Sequence, residues 1–247
     1  LGQKAGHKTT DNSCGIAIGF YAAACRNSNT GIFIGRYAGH GCNGAGGACN
    51  IAIGDEAGKC GTTGSHNVFL GTCAGRETTN CSYNVFAGTD AGRCSDGGYN
   101  VFFGRHAGQG SPTVSDNTGG CNIAIGAYTQ CVITSGTRNV TLGENAGRNL
   151  NIGFSNVFLG ASAGKCVTTG NQNIFLGNYS GCGTGDKTGQ NNIGLGKFTA
   201  KLLTSGCYNI FFGKNAGCTT TSGCCNIAIG REVELPSATG NGQLAIG

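Results

Sequence analysis

Few residues in this chain invite a chemical reading. Gly160-Ala161-Ser162-Ala163-Gly164 fits the GxSxG pattern, in which a serine on a sharp strand-to-helix turn serves as a nucleophile. Asp55 with Glu56, and Glu232 with Glu234, are carboxylate pairs of the kind used for acid–base work, but neither has a histidine beside it. The glycine-rich piece from Gly183 to Gly189 lacks the GxxxxGK[ST] order of a phosphate cradle. The 16 cysteines contain no CxxC pair and no zinc-type Cys/His spacing. Cys42 beside His40, and the vicinal Cys224-Cys225, are the spots to inspect for a metal, and none is expected there.

Each candidate dissolves once the whole chain is seen to repeat. A pentapeptide of polar, apolar, variable, apolar and Gly recurs fourteen times, ending at Gly19, Gly35, Gly54, Gly71, Gly88, Gly104, Gly126, Gly143, Gly160, Gly177, Gly196, Gly213, Gly230 and Gly247. Its spacing is 17 residues in most copies and 22 at the longest, where an insertion lies around Ser111 to Thr118. An Ala-Gly step follows most copies, as at Ala74-Gly75 and Ala163-Gly164, and then a Thr/Ser/Gly/Asn-rich stretch that takes every insertion. Ser162 shares its place in the repeat with Cys73, Asp90 and Asn145, so the position varies freely and carries no catalytic signal. No catalytic residue, metal ligand or cofactor is predicted, and the chain is read as a non-enzyme.

Composition agrees with the repeat. Glycine is 49 of 247 residues, Met and Trp are absent and charged residues are only 11%, which fits neither an ordinary enzyme nor a disordered tail. The glycines lack a three-residue period, which excludes collagen. No apolar run is long enough to span a bilayer as a helix. No nucleic-acid-binding module stands out.

Seventeen residues are too few for a helix pair, and the apolar positions alternate with period two, so each repeat is predicted to be one coil of a parallel β-solenoid or β-roll. About fourteen coils over residues 1–247 form a single tandem-repeat domain in this reading, an excerpt of a longer fibre. Stacking at ~4.8 Å gives a rod on the order of 65 Å long. The Ile, Val or Leu on either side of the central residue is expected to fill the coil. Asn50, Asn67, Asn84, Asn100, Asn122, Asn139, Asn156, Asn173, Asn192, Asn209 and Asn226, which precede the strands, are expected to form a ladder of amides. The central residue is expected to point outward: Phe33, Phe69, Phe86, Phe102, Phe158, Phe175 and Phe211, or Ala17, Ala52, Ala124, Ala228 and Ala245. Such a stripe needs a cover. A homotrimer with these residues at the subunit interface is favoured, with a dimer or filament bundle as the alternative.

Cysteines cluster at two places flanking the variable stretch, among them Cys14, Cys49, Cys121 and Cys225 before the strand and Cys25, Cys60, Cys94 and Cys166 after it. They are read as small ladder-forming residues, with pairing between coils or chains as the other reading. Net charge is +5, and Lys59, Arg76, Arg93, Arg148 and Lys165 all lie five residues after a motif glycine. That row is a candidate contact for an anionic glycan such as a host surface polysaccharide.

The strings NIAIG and NVFLG, followed by Ala-Gly and a TTG loop, resemble repeat regions of tailed-phage tail fibres, especially marine ones. The Ile-Ala-Ile-Gly core is also similar to head repeats of trimeric autotransporter adhesins. The resemblance implies a trimeric, left-handed parallel β-roll on a virion tail or at the cell surface, where it supports attachment. A self-assembling extracellular filament is the alternative function, with an ice-binding solenoid behind it.

Overall fold

The computed structural model describes residues 2–9, 15–27, 30–41, 47–61, 63–111, 117–183 and 185–247. Cys14, Cys42 and most of the insertion around 111–118 lie outside them. The described residues are all-β, without a helix, and fall into two compact units, Leu1–Asn122 and Ile123–Gly247. Both are stretches of parallel β-solenoid with one short strand per coil.

The first unit holds β1 (Ile16–Ile18), β2 (Gly31–Ile34), β3 (Asn50–Ile53), β4 (Val68–Leu70), β5 (Val85–Ala87) and β6 (Val101–Phe103). The second holds β7 (Ile123–Ile125), β8 (Val140–Leu142), β9 (Val157–Leu159), β10 (Ile174–Leu176), β11 (Ile193–Leu195), β12 (Ile210–Phe212), β13 (Ile227–Ile229) and β14 (Leu244–Ile246). Within each unit neighbouring strands are parallel and in strict repeat register, for example Val68 with Val85 and Val101, or Val157 with Ile174 and Ile193. The insertions leave that register intact because they fall between strands.

The strand faces are the reverse of the expectation. Phe33, Phe69, Phe86, Phe102, Phe158, Phe175 and Phe211 are all buried, as are Ala52, Ala124 and Ala228, while Ala17 and Ala245 are half-buried. The flanking Ile, Val, Leu and Phe residues point outward instead. The physical reason lies in the coil's bore. An aromatic ring lies across it and stacks on the ring of the next coil, as Phe86 does on Phe102 at 4.9 Å and Phe158 on Phe175 at 5.5 Å.

The residue four after each motif glycine makes room for the ring. All seven Phe coils carry Gly there: Gly39, Gly75, Gly92, Gly108, Gly164, Gly181 and Gly217. A methyl at Gly164 would stand 2.5 Å from the Phe158 ring, and one at Gly181 equally close to Phe175. Coils with a small central residue fill the bore from elsewhere. Gln130 in the coil of Ala124 donates from Nε2 to Thr141 Oγ1 at 2.9 Å. Beside Gly194, the Thr199 hydroxyl of its coil meets the Ser180 hydroxyl of the preceding coil at 2.6 Å. The coil of Ala52 has Gly58 at this place, and there the bore is underfilled. A small cavity of about 20 Å³ lies between Phe33, Ala52 and Phe69.

Alternation puts the leading asparagine on the same inward face as the central residue. All eleven ladder asparagines are buried. The Asn67 backbone N–H donates to Asn50 Oδ1 at 2.9 Å and that of Asn84 to Asn67 Oδ1 at 3.0 Å; in the second unit Asn156, Asn173, Asn192, Asn209 and Asn226 each donate to the preceding amide at 3.0–3.1 Å. The Nδ2 group closes the coil, as where Asn156 donates to the Gly170 carbonyl at 2.8 Å. Asn156→Ala would strand the backbone N–H of Asn173 in the bore and is expected to cost on the order of 3 kcal/mol by urea unfolding, through orphaned buried groups rather than lost volume.

Candidate interaction surface

With the rings inside, the outer face of each sheet carries two parallel files of apolar side chains. In the first unit one file runs Ile16, Ile32, Ile51, Val68, Val85, Val101 and the other Ile18, Ile34, Ile53, Leu70, Ala87, Phe103. In the second unit the files are Ile123, Val140, Val157, Ile174, Ile193, Ile210, Ile227, Leu244 and Ile125, Leu142, Leu159, Leu176, Leu195, Phe212, Ile229, Ile246. Neither unit places a polar or charged residue in them. Leu142 is 44% exposed, Ile210 41% and Phe212 53%, far from the burial of the central residues between them. Eight strands at ~4.8 Å make the second face ~35 Å long and on the order of 350 Å² in area. A contiguous apolar patch of that size is comparable to the largest, often functional, patch on a soluble protein. The outward apolar stripe expected of the central residues is formed instead by the residues that flank them.

The turn after each strand forms a second surface, and here the two units differ. In the first, the basic row is neutralised. Lys59 pairs with Glu56 at 2.8 Å, Arg76 with the same carboxylate at 3.2 Å, and Arg93 with Glu77 at 3.3 Å. The hydrogen bond from Lys59, with Arg76 close by, holds the Glu56 carboxyl below the usual carboxylate range. Arg36 one coil earlier pairs with Asp55 at 2.6 Å. Lys59, Arg76 and Arg93 of the expected glycan row thus each have a carboxylate partner within the unit. The second unit carries eight basic and four acidic residues. Arg148 lies over the Tyr128 ring at 5.5 Å, and Lys197 and Lys201 flank the Phe198 ring at 5.0 and 5.6 Å. Among the described residues no carboxylate pairs with Arg148, Lys165, Lys197 or Lys201.

The remaining chemical candidates have structural partners. Ser162 is buried in the turn of its coil, its N–H bonded to the Glu144 carbonyl at 2.8 Å, and its unit contains no histidine. Glu234 accepts hydrogen bonds from the Cys218 thiol at 2.7 Å and the Thr219 hydroxyl at 2.6 Å. Glu232 lies 3.3 Å from Arg231 and 3.9 Å from Lys214. Among the described residues no group of three His, Cys, Asp or Glu side chains is placed to hold a metal ion.

Thirteen of the described cysteines are free thiols, and Cys60 is disulfide-bonded. Burial, and then the hydrogen bond to Glu77, push the Cys94 thiol up to about 12; burial and Glu234 push Cys218 to about 11.

Two buried cations escaped sequence reasoning because they sit in irregular parts of the repeat. Arg26 donates to the Gly39 carbonyl at 3.0 Å and covers the Phe33 ring at 4.8 Å. Lys187 donates to the carbonyls of Lys201 and Leu203, and burial lowers it to about 8.

Comparison with family models, curated proteins and solved structures returned no match.

Proposed function

We propose that the chain is a structural fibre segment that works as part of a homotrimer, in a phage tail fibre or another extracellular surface appendage, and holds an attachment function away from its base. The two-file apolar face carries this reading. Parallel copies set around a common axis bury one such face each, and closed symmetry satisfies them all at once. The uniform coils and bonded asparagine ladder suit a load-bearing element, since each coil depends on its neighbours. A disulfide at Cys60 fits an oxidising, extracellular setting. Ice binding is not favoured: the only strand threonine, Thr141, is buried, so no outward threonine file exists on these strands.

The test is a double substitution on the outer face. Leu142 and Leu159 are register partners with outward side chains. Changing both to Lys is expected to leave the circular dichroism spectrum unchanged and to reduce the assembly to single chains, because two like charges would be desolvated in the contact. A variant that keeps its assembled mass would remove this face from the interface.

For the outer partner we propose an anionic surface polysaccharide, met along the turn edge of the second unit by Arg148, Lys165, Lys197 and Lys201. Binding to an immobilised polyuronate is expected to weaken with added salt and with Lys197→Glu plus Lys201→Glu. Arg76→Glu, which alters a residue already paired, is expected to change it little. Equal effects from both sets would argue against a defined site.

A further inference from the structure

Two thiols in the second unit occupy the same repeat position in neighbouring coils. Cys207 lies six residues before Gly213 and Cys224 six before Gly230. The strands that follow are paired in register, Ile210 with Ile227 and Phe212 with Ile229. That register extends back through the cysteines, since the Cys225 N–H donates to the Cys207 carbonyl at 2.9 Å. In-register neighbours are separated by one coil rise of ~4.8 Å, inside the roughly 4.4–6.8 Å window between Cα atoms that a disulfide spans.

The side chains already lean the right way. Cys224 Sγ accepts the backbone N–H of Cys207 at 3.2 Å. Each thiol also donates to the carbonyl two residues before it, Cys207 to Ser205 at 3.4 Å and Cys224 to Ser222 at 3.7 Å, so the two share one orientation. The same repeat position forms a side-chain ladder in other coils. Ser82 Oγ accepts from the Ser65 N–H at 3.0 Å, and Asn171 Oδ1 from the Phe154 N–H at 2.9 Å. Only at Cys207 and Cys224 do two consecutive rungs both carry sulfur. Cys225, although adjacent in sequence, belongs to a different row, where its coil neighbours are Tyr208 and Gly242. Cys94 and Cys218, by contrast, spend their S–H on Glu77 and Glu234 and are held protonated, which leaves them poor nucleophiles.

We propose that Cys207 and Cys224 are a redox site that closes to a covalent staple between adjacent coils. With glutathione disulfide as oxidant, one thiolate attacks a glutathione sulfur and releases glutathione as its thiolate, leaving a mixed disulfide on the protein. The second thiolate then attacks the protein sulfur of that mixed disulfide and expels the other glutathione. One S–S bond is broken and one formed, the two protein thiols are oxidised by two electrons, and their two protons end on two molecules of glutathione. The staple closes a loop of 17 residues, which restricts the unfolded chain and makes the stability of these coils depend on the redox state around them.

The test uses the full chain, incubated with glutathione disulfide, alkylated and digested with trypsin without reduction. The expected product joins the peptide from Leu202 to Lys214 to that from Asn215 to Arg231 within one chain, two hydrogens lighter than the sum of the free peptides, with fragment ions placing the link at Cys224. The chain treated with glutathione disulfide is expected to melt above the untreated chain, the disulfide at Cys60 being intact in both. Cys207→Ser, which installs a residue this row already uses, is expected to abolish the difference, and Cys225→Ser to preserve it. Alkylated Cys207 and Cys224, persistent glutathione on either, a link to Cys225 or a link between chains would each overturn the proposal.

Discussion

Phe86→Ala is expected to lower the unfolding free energy of the first unit by about 3–5 kcal/mol. The Phe86 ring is wholly buried, 5.5 Å from Phe69 and 4.9 Å from Phe102, and lies over Gly92. Its removal loses the transfer energy of the ring, two aromatic contacts of about 0.5–1.5 kcal/mol each, and the filling of a bore that cannot collapse. The walls on either side are held by Asn84 and Asn100, whose ladder bonds fix the coil spacing. Urea unfolding of the variant checks this: the midpoint should fall while the slope stays near that of the parent chain. A midpoint within error of the parent would mean that the ring is not part of the load-bearing interior.

Gly143→Ala is expected to cost roughly 3 kcal/mol or more, by a different mechanism. Gly143 has φ of 125°, a conformation that side chains rarely adopt, and a methyl there would lie 2.7 Å from the carbonyl carbon of Gly160 in the next coil. The Gly160 atoms it meets are backbone and cannot swing aside. The hydrogen bonds from Gly143 to Ile125 and from Gly160 to Leu142, at 2.9 and 2.8 Å, would have to lengthen together. Gly147→Ala in the same coil should be milder, because its methyl meets the side-chain methyl of Thr141 at 2.9 Å. Thermal melts of the two variants, with amide exchange at Val157 and Ile174, test the ranking; equal losses would show that backbone contact between coils is not limiting.

Much of this fold is legible in the sequence. The recurrence of the motif glycines about every 17 residues gives the coil, period two gives the strand, and the confinement of insertions to one stretch gives the constant register. Alternation, however, fixes only that neighbouring residues face opposite ways; it carries no sign. Here both faces are apolar, with Phe or Ala at the centre and Ile, Val or Leu beside it, so hydrophobicity alone could not choose between them.

Two signals in the chain do choose. Asn84 and Phe86 are two residues apart and therefore share a face, and a ladder of amides needs the protected side. Every central Phe is also matched by a glycine four residues after the motif Gly, a pairing that makes sense only if the two meet inside the bore.

The turn-edge charges were harder to read. Glu56 and Asp90 lie two residues after a motif Gly, three before Lys59 and Arg93, whereas Glu77 lies six after its Gly, so the chain shows only part of the pairing. Arg76, which has Cys73 where the other two have a carboxylate three residues back, looks unneutralised in sequence. Register across coils brings Arg76 to Glu56 and Arg93 to Glu77, while Lys59–Glu56 and Arg93–Asp90 pair within one coil.

Whether the outer face of Ile, Val and Leu side chains meets copies of itself is decided most directly by sedimentation equilibrium of the full chain at micromolar concentration. A single species of three times the 24.7 kDa chain mass is the predicted result. A stable particle of one chain mass across the whole concentration range, with those files open to water, would contradict it.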